Sequence, residues 1–311
     1  MQHMSSAASS ATSTRATTER ASAAWRVVLS SYIGLMKPHV TVLLLGTTLA
    51  AMALAGHGLP PVSVTLGTLL GGLFAAGSAN AINCYWDRDI DKLMSRTKSR
   101  ALPAGRVSDL HALIFGVTLG VLSFFILGIS ANWLAAGLAV SAILFYVCVY
   151  TMWLKRTTTQ NIVIGGAAGA VPVLVGWAAA TGSLAWPAFW MFVIIFMWTP
   201  PHFWALSLVL KKDYARAGVP MLPVIKGEGA TYRQIVLYSV VLTACSLSLF
   251  VIGALGYLYL AVALLLGGGL IVLAVRLMRI RTLKEARTVF WFSNYYLALI
   301  FAAMVIDHIF H

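Results

Sequence analysis

Charge is what this chain has least of. Only 10% of its 311 residues are charged while 60% are hydrophobic, and the mean hydropathy is +0.86. A water-soluble protein carries about a quarter charged residues, so a soluble globular enzyme is excluded and a polytopic membrane protein is indicated. Acids are scarcer still, 9 Asp and Glu against 22 Lys and Arg, a net charge of +13. In a membrane chain such an excess marks the cytoplasmic face rather than a nucleic-acid partner. The three cysteines (Cys84, Cys148, Cys245) all lie in apolar runs. They offer neither metal-ligand spacing nor a disulfide framework. Residues 1–24 are Ser, Ala and Thr with a few charges and no apolar segment at signal-peptide spacing, and read as a disordered cytoplasmic tail.

What is present is a succession of apolar runs of about 20 residues, each enough to cross roughly 30 Å of hydrocarbon. After a mildly amphipathic stretch at 25–37, expected along the interface, spans are read at 38–56, 64–86, 108–130, 132–153, 160–181, 187–210, 232–254, 257–279 and 288–309. Continuous runs of this length are helices, not barrel strands, so the fold class is all-α, a bundle of about nine transmembrane helices forming one domain over 25–311. All 22 Lys and Arg fall before span one or around the connections after spans two, four, six and eight; HGLPPVS, ISAN, TGSLAW and LGY carry none. This sorting places the N-terminus inside and the C-terminus outside. The inner loops after spans two and six are the long ones, and a plain connector needs only a few residues. They are candidates for a lid or a site.

The most informative stretch is NAINCYWDRDIDKLMSRTKSRALPAGR at 80–106. Asn83, Asp87 and Asp91 recur every four residues, and each step of four advances only about 40° round a helix, so the three share one face. Clustered carboxylates at a membrane boundary repel one another and are costly to desolvate. A divalent cation resolves the conflict, and hard oxygen ligands suit Mg²⁺, whose shell waters and substrate phosphates complete. Asp89 projects away and reads as a surface acid. Arg96, Lys98 and Arg100 follow within one loop, the bidentate and compact charges a diphosphate needs; the bland alternative for each is topology alone.

With MKPHVT (36–41), NCYWDRDIDKLMSRTKSRAL (83–102), LKRTTTQNIVIGGAAGAVPVLVGWAA (154–179), WTPPHFWALSL (198–208) and KKDYARAGVPMLPV (211–224), the chain resembles the UbiA-type intramembrane prenyltransferases, and within them the branch that farnesylates haem. The resemblance implies a nine-helix bundle with a central cavity open to the cytoplasm. In it, Mg²⁺ and basic side chains hold farnesyl diphosphate while a vinyl group of haem b attacks. It implies farnesyl diphosphate, haem b and membrane lipid as partners, with haem A synthase or oxidase assembly factors as protein partners, in a bacterial inner membrane. Asp87 and Asp91, with Asn83 as a neutral ligand, would carry the metal; Lys155, Arg156, Lys212 and Arg216 join the diphosphate candidates because their loops meet the same membrane face.

One departure is visible. Quinone-type members carry a second DxxxD motif after span six, where this chain reads KKDYARAG, with Arg216 three residues after Asp213 and no second aspartate. Lys212, Asp213, Tyr214 and Arg216 would then form the second half of the polar chamber. The small residues GGAAGA at 165–170 serve helix packing or leave room for substrate. Pro200 and Pro201 are expected to break or bend span six. The His202 beside them is a buried hydrogen-bonded core histidine or a haem contact, with His39 a second haem candidate. Two rivals remain: a prenyltransferase for an aromatic acceptor such as 4-hydroxybenzoate, and a small-molecule transporter, which needs charges along a path through both halves of the bilayer.

Overall fold

The computed structural model describes residues 25–56 and 58–310. The N-terminal tail expected at 1–24 lies outside the described residues. A helix at 25–35 (α1) presents Trp25, Leu29 and Ile33 outward while Leu35 is buried against Ala81 and Cys84. Its outward face is therefore apolar, as an interfacial helix requires.

Nine described helices are long and apolar enough to cross a membrane. They are α2 (Pro38–Ala55), α3 (Val62–Trp86), α5 (Asp109–Ser130), α6 (Trp133–Leu144) with its continuation to Thr157, α8 (Asn161–Thr181), α9 (Trp186–Val209), α12 (Gly227–Val251), α13 (Tyr257–Ile280) and α14 (Leu283–Phe310). Short helices α4 (Arg88–Leu93), α7 (Lys155–Thr157), α10 (Lys211–Arg216) and α11 (Leu222–Ile225) follow the ends of α3, α6 and α9. The described residues contain no β-strand.

The spans pack in chain order, α3 on α5, α5 on α6, α6 on α8, α8 on α9, then α12, α13 and α14, with α14 returning to α9 and α2. Helix α2 also packs against α3 and α8, which closes the ring. In α8 and α9, 61% of the most apolar window is buried, against 28–44% in the other spans. These two are the central pair, and the rest turn Leu, Val and Phe outward to a solvent of lipid tails. Between α3 and α5, Gly67 and Gly71 of α3 lie against Ser130 and Leu127, and Gly116 and Gly120 of α5 lie against Ile82 and Ser78. A Cβ at Gly71 would lie 2.6 Å from Leu127 Cγ, and one at Gly116 2.7 Å from Ile82 Cγ1. Packing this close holds two helices together where no hydrophobic effect operates. Ser108 and Asn132 cap α5 and α6, accepting from the His111 and Ala135 amides.

Three expectations are corrected. Helices α12 and α14 begin at Gly227 and Leu283, about five residues before the apolar runs suggest, because a helix continues past the hydrocarbon until its polar first turn is solvated. Pro200 and Pro201 do not break span six, which is one helix from Trp186 to Val209. Both prolines are buried among neighbouring helices, and the Thr199 hydroxyl donates to the Ile195 carbonyl at 2.9 Å, the kind of support that makes proline tolerable in a membrane helix. Span four is not uniformly α-helical either: residues Phe145–Leu154 form a π-helix, a rare geometry often found at functional sites.

Candidate active site

The inner end of α3 builds the centre of the site. The α-helix stops at Trp86, and Asp87 (φ −86°, ψ 6°) is the joint with α4. Hydrogen bonds run through the joint nonetheless, from Asp87 N to Asn83 O at 2.9 Å and from Asp91 N to Asp87 O at 2.8 Å. The four-residue spacing therefore keeps one face, and Asn83, Asp87 and Asp91 are all buried, at 3%, 1% and 3% exposure. Asp89 points the other way and is exposed.

A cation from a different part of the chain meets each of the three. Lys155, where α6 leaves the membrane, pairs with Asp87. Arg100 donates to Asp91 Oδ2 at 2.8 Å. Lys37 donates to Asn83 Oδ1 at 2.9 Å, and Asn83 in turn donates to Asp87 Oδ2 at 2.7 Å and Thr151 Oγ1 at 3.1 Å. Lys37 is the residue that motif reading missed. It adopts a left-handed conformation (φ 51°, ψ 62°) immediately before Pro38, which for a residue with a Cβ costs on the order of 1–2 kcal/mol. The signal was there: Pro38 is the first residue of a span, so the residue before it is forced out of the helix at the depth where the acids sit.

The π-helical stretch supplies the wall. It carries Tyr146, Tyr150 and Thr151, and Tyr150 fits only because Gly165 lies opposite, where a Cβ would come within 2.2 Å of the ring. Tyr146, Tyr150, Lys37 and Lys155 are each half-buried. Of the small residues on α8, Gly165 and Gly166 accept neighbouring side chains, while a Cβ at Gly169 would meet nothing within 4 Å.

The remaining candidates divide. Arg156 forks onto Asp89 with bonds of 2.7 and 2.8 Å and lies 3.6 Å from Asp87 Oδ1. That pairing holds the Asp89 carboxyl down at about 2. Arg96 and Lys98 are exposed on the loop beyond α4, with the Arg96 charge within electrostatic reach of Tyr150 and Tyr214. Lys212 and Arg216 are exposed on α10, where Arg216 pairs with the buried Asp213 at 3.1 Å. Tyr214 is buried beside Ile90 and Met94. His202 is not among the polar groups: its Nδ1 lies 2.8 Å from Ser293 Oγ, and it stacks on Trp198 at 4.2 Å and against Phe290 at 4.7 Å. His39 is exposed at the start of α2.

Among the described residues, no three His, Cys, Asp or Glu side chains gather to enclose a metal ion. A cation whose shell is completed by water and phosphate does not need three. Asp87 Oδ1 is buried without a hydrogen-bond partner, with the Arg156 guanidinium standing off from it at 3.6 Å. The donor set of two carboxylates and an amide oxygen therefore fits a hard divalent cation.

Comparison with known proteins accords with this geometry. The UbiA prenyltransferase family profile matches residues 44–300. The chain is 56% identical over 283 residues to a protein of Gloeobacter violaceus named protoheme IX farnesyltransferase, covering 91% of this chain and 93% of that one. It is 52% identical to a Synechocystis protein of the same name, over 90% and 89% of the two chains. Among solved structures it is similar to a digeranylgeranylglyceryl phosphate synthase (TM-score 0.76, 19% identity, 91% of this chain and 99% of that one). It is also similar to a UbiA homologue from Archaeoglobus fulgidus bound to DMAPP and Mg²⁺ (TM-score 0.63, 15% identity, 88% and 99%). With the family's span covering most of the bundle and the acid face at the end of α3, the chain is an integral membrane protein that belongs to the UbiA prenyltransferase family, an intramembrane prenyltransferase.

Proposed function

We propose that the protein transfers a farnesyl group from farnesyl diphosphate to a vinyl group of haem b, releasing diphosphate and leaving a hydroxyethylfarnesyl side chain. The observation that carries the choice of substrates is identity above 50% to relatives named for that reaction, sustained over nine-tenths of the chain. The alternative acceptor, a hydroxybenzoate, has no comparable support, and a transporter would need charges along the whole path, whereas the charged groups here, apart from the helix-capping Asp307, gather at one end of the spans.

Asp87 and Asp91, with Asn83, would hold Mg²⁺, which supplies Lewis-acid stabilisation of the charge growing on the leaving diphosphate. The chain's own cations do the rest of that work. Lys37, Lys155 and Arg100 already converge on the acid face, and they stabilise the diphosphate oxyanions as the C–O bond breaks with its electron pair leaving on oxygen. Arg96, Lys98, Arg156, Lys212 and Arg216 stand at the inner mouth and draw the anion in. The wall of Tyr146 and Tyr150 keeps bulk water from the allylic cation until the vinyl carbon bonds to it. The cation formed beside the porphyrin takes hydroxide from one water, and a proton is released. His202 and His39 are the candidates for seating the haem, tested by haem titration of their alanine variants. The inner face is taken as cytoplasmic in a bacterial inner membrane, consistent with its concentration of Lys and Arg; Mg²⁺, haem A synthase and oxidase assembly factors complete the set of proposed partners.

Incubating purified protein in nanodiscs with haem b, farnesyl diphosphate and Mg²⁺, read by mass spectrometry, tests the assignment. Farnesylated, hydrated haem is the expected product. Prenylated benzoate and unmodified haem from an active preparation would replace the haem acceptor.

A further inference from the structure

Asp213 stands where the resemblance places a second acidic motif, and its carboxylate is already occupied. Oδ2 accepts from the Ser95 amide at 3.1 Å and from the Ser95 hydroxyl, and Oδ1 accepts from Arg216 at 3.1 Å. With three kinds of donor on it, the carboxylate is buried at 6% exposure. The two Ser95 donors reach it across 118 residues of sequence, from the turn between α4 and the rest of the first long loop.

That turn carries the cations. Thr97 N bonds to Met94 O at 3.1 Å, and the Thr97 hydroxyl donates to the Asp91 carbonyl at 2.9 Å. Arg100, on the same turn, holds the Asp91 carboxylate. Asp213 thus grips one end of the turn and Asp91 the other, with Arg96 between them. Beneath the grip, Ile90 and Met94 of the first loop share a buried cluster with Tyr214 and Val219 of the second, so the two long inner loops form one packed unit.

We infer that Asp213 is a positioning residue: acting through Ser95, it sets Arg96 and its turn over the diphosphate site, and it does not hold a metal. This rests on the diphosphate reading given above but not on the identity of the acceptor. A charge-assisted pair of hydrogen bonds fixes a short turn firmly, and without it the turn would have to be ordered at the moment the anion binds.

The test uses the full chain in nanodiscs with two probes that need no acceptor: inorganic pyrophosphate with Mg²⁺, followed by calorimetry, and Mn²⁺ alone, followed by its electron paramagnetic resonance signal. Asp213→Asn and Ser95→Ala should each weaken pyrophosphate binding about five- to tenfold, and the double variant should be no weaker than the worse single one, as expected for residues acting as a unit. Ser95→Thr, which keeps the hydroxyl, should restore binding, and Mn²⁺ affinity should stay within twofold throughout. Loss of Mn²⁺ binding in Asp213→Asn with Ser95→Ala silent would make Asp213 a ligand and overturn the inference. Additive losses, or none in either variant, would overturn it too. If the unaltered protein bound no pyrophosphate, the diphosphate reading would fall and this role with it; any of the other contrary patterns removes the positioning role alone.

Discussion

Lys37 donates its ammonium to Asn83 Oδ1 at 2.9 Å, joining the turn before α2 to the last turn of α3. The contact completes a set in which each of the three polar groups on the acid face is met by a cation, the others being Lys155, with Arg156 farther off, on Asp87 and Arg100 on Asp91. Charges at this depth persist only when paired. The same cations that balance the acids lie within reach of an incoming anion. Lys37→Met should raise the KM for farnesyl diphosphate and lower kcat/KM by about 10- to 100-fold, the scale of losing one oriented charge at a developing oxyanion. Lys37→Arg should retain part of the activity. Steady-state kinetics in nanodiscs reads both.

Asp89 provides the control for Asp87, two residues away and on the opposite face. Its Arg156 fork holds the carboxyl at about 2, below its ordinary 3.8. Because the folded value is the lower one, the pairing contributes fully above pH 4 and is lost as pH falls through about 2. The Asp89 side chain is 59% exposed, so solvent screens the pair and it is worth less than about 1 kcal/mol. Asp89→Asn should flatten the acid limb of a Tm-against-pH curve between those values and leave turnover within about threefold.

Glycines on α8 separate packing from space. A Cβ at Gly176 would lie 2.3 Å from the backbone oxygen of Thr48 on α2, while one at Gly169 would meet nothing within 4 Å. Backbone cannot swing aside as a side-chain tip can. Gly176→Ala should destabilise the protein by about 1–3 kcal/mol, the usual range for overpacking, seen as a lowered Tm. Gly169→Ala should leave Tm unchanged or raised.

At the far end of α14, Asp307 is buried and accepts from the Gly256 and Tyr259 amides, the latter at 3.0 Å. It caps α13 from a neighbouring helix. Asp307→Ala leaves those amides without a partner and should cost roughly 2–5 kcal/mol of stability. The turnover of correctly inserted protein should hold, because the residue lies at the opposite end of the spans from the site.

Much of this was legible in the sequence because the bilayer is a demanding solvent. Apolar run length located all nine spans, and the four-residue spacing of Asn83, Asp87 and Asp91 put three polar groups on one face before any helix was seen. Span ends were less legible, since the starts of α12 and α14 are set by solvation of their polar first turns and not by hydropathy. The π-helical wall was hidden too: FYVCVYTMWL reads as an ordinary apolar helix, and its register follows from packing Tyr150 against Gly165. Lys37 was seen only as one more inner-face cation, because its partner is 46 residues away. His202 could be read two ways from Pro-Pro-His. Its contacts with Ser293 and Phe290 are long-range facts of the α9–α14 packing.

The account stands on a divalent cation bound by Asp87 and Asp91 together with a diphosphate. Mn²⁺ binding, followed by electron paramagnetic resonance with and without pyrophosphate, measures it in the unaltered protein and in Asp87→Ala. The unaltered protein should bind Mn²⁺ more tightly when pyrophosphate is present; Asp87→Ala should lose that enhancement and at least about a hundredfold of its turnover while remaining inserted and monodisperse. Equal enhancement in both proteins, with turnover of Asp87→Ala near that of the unaltered chain, would contradict it.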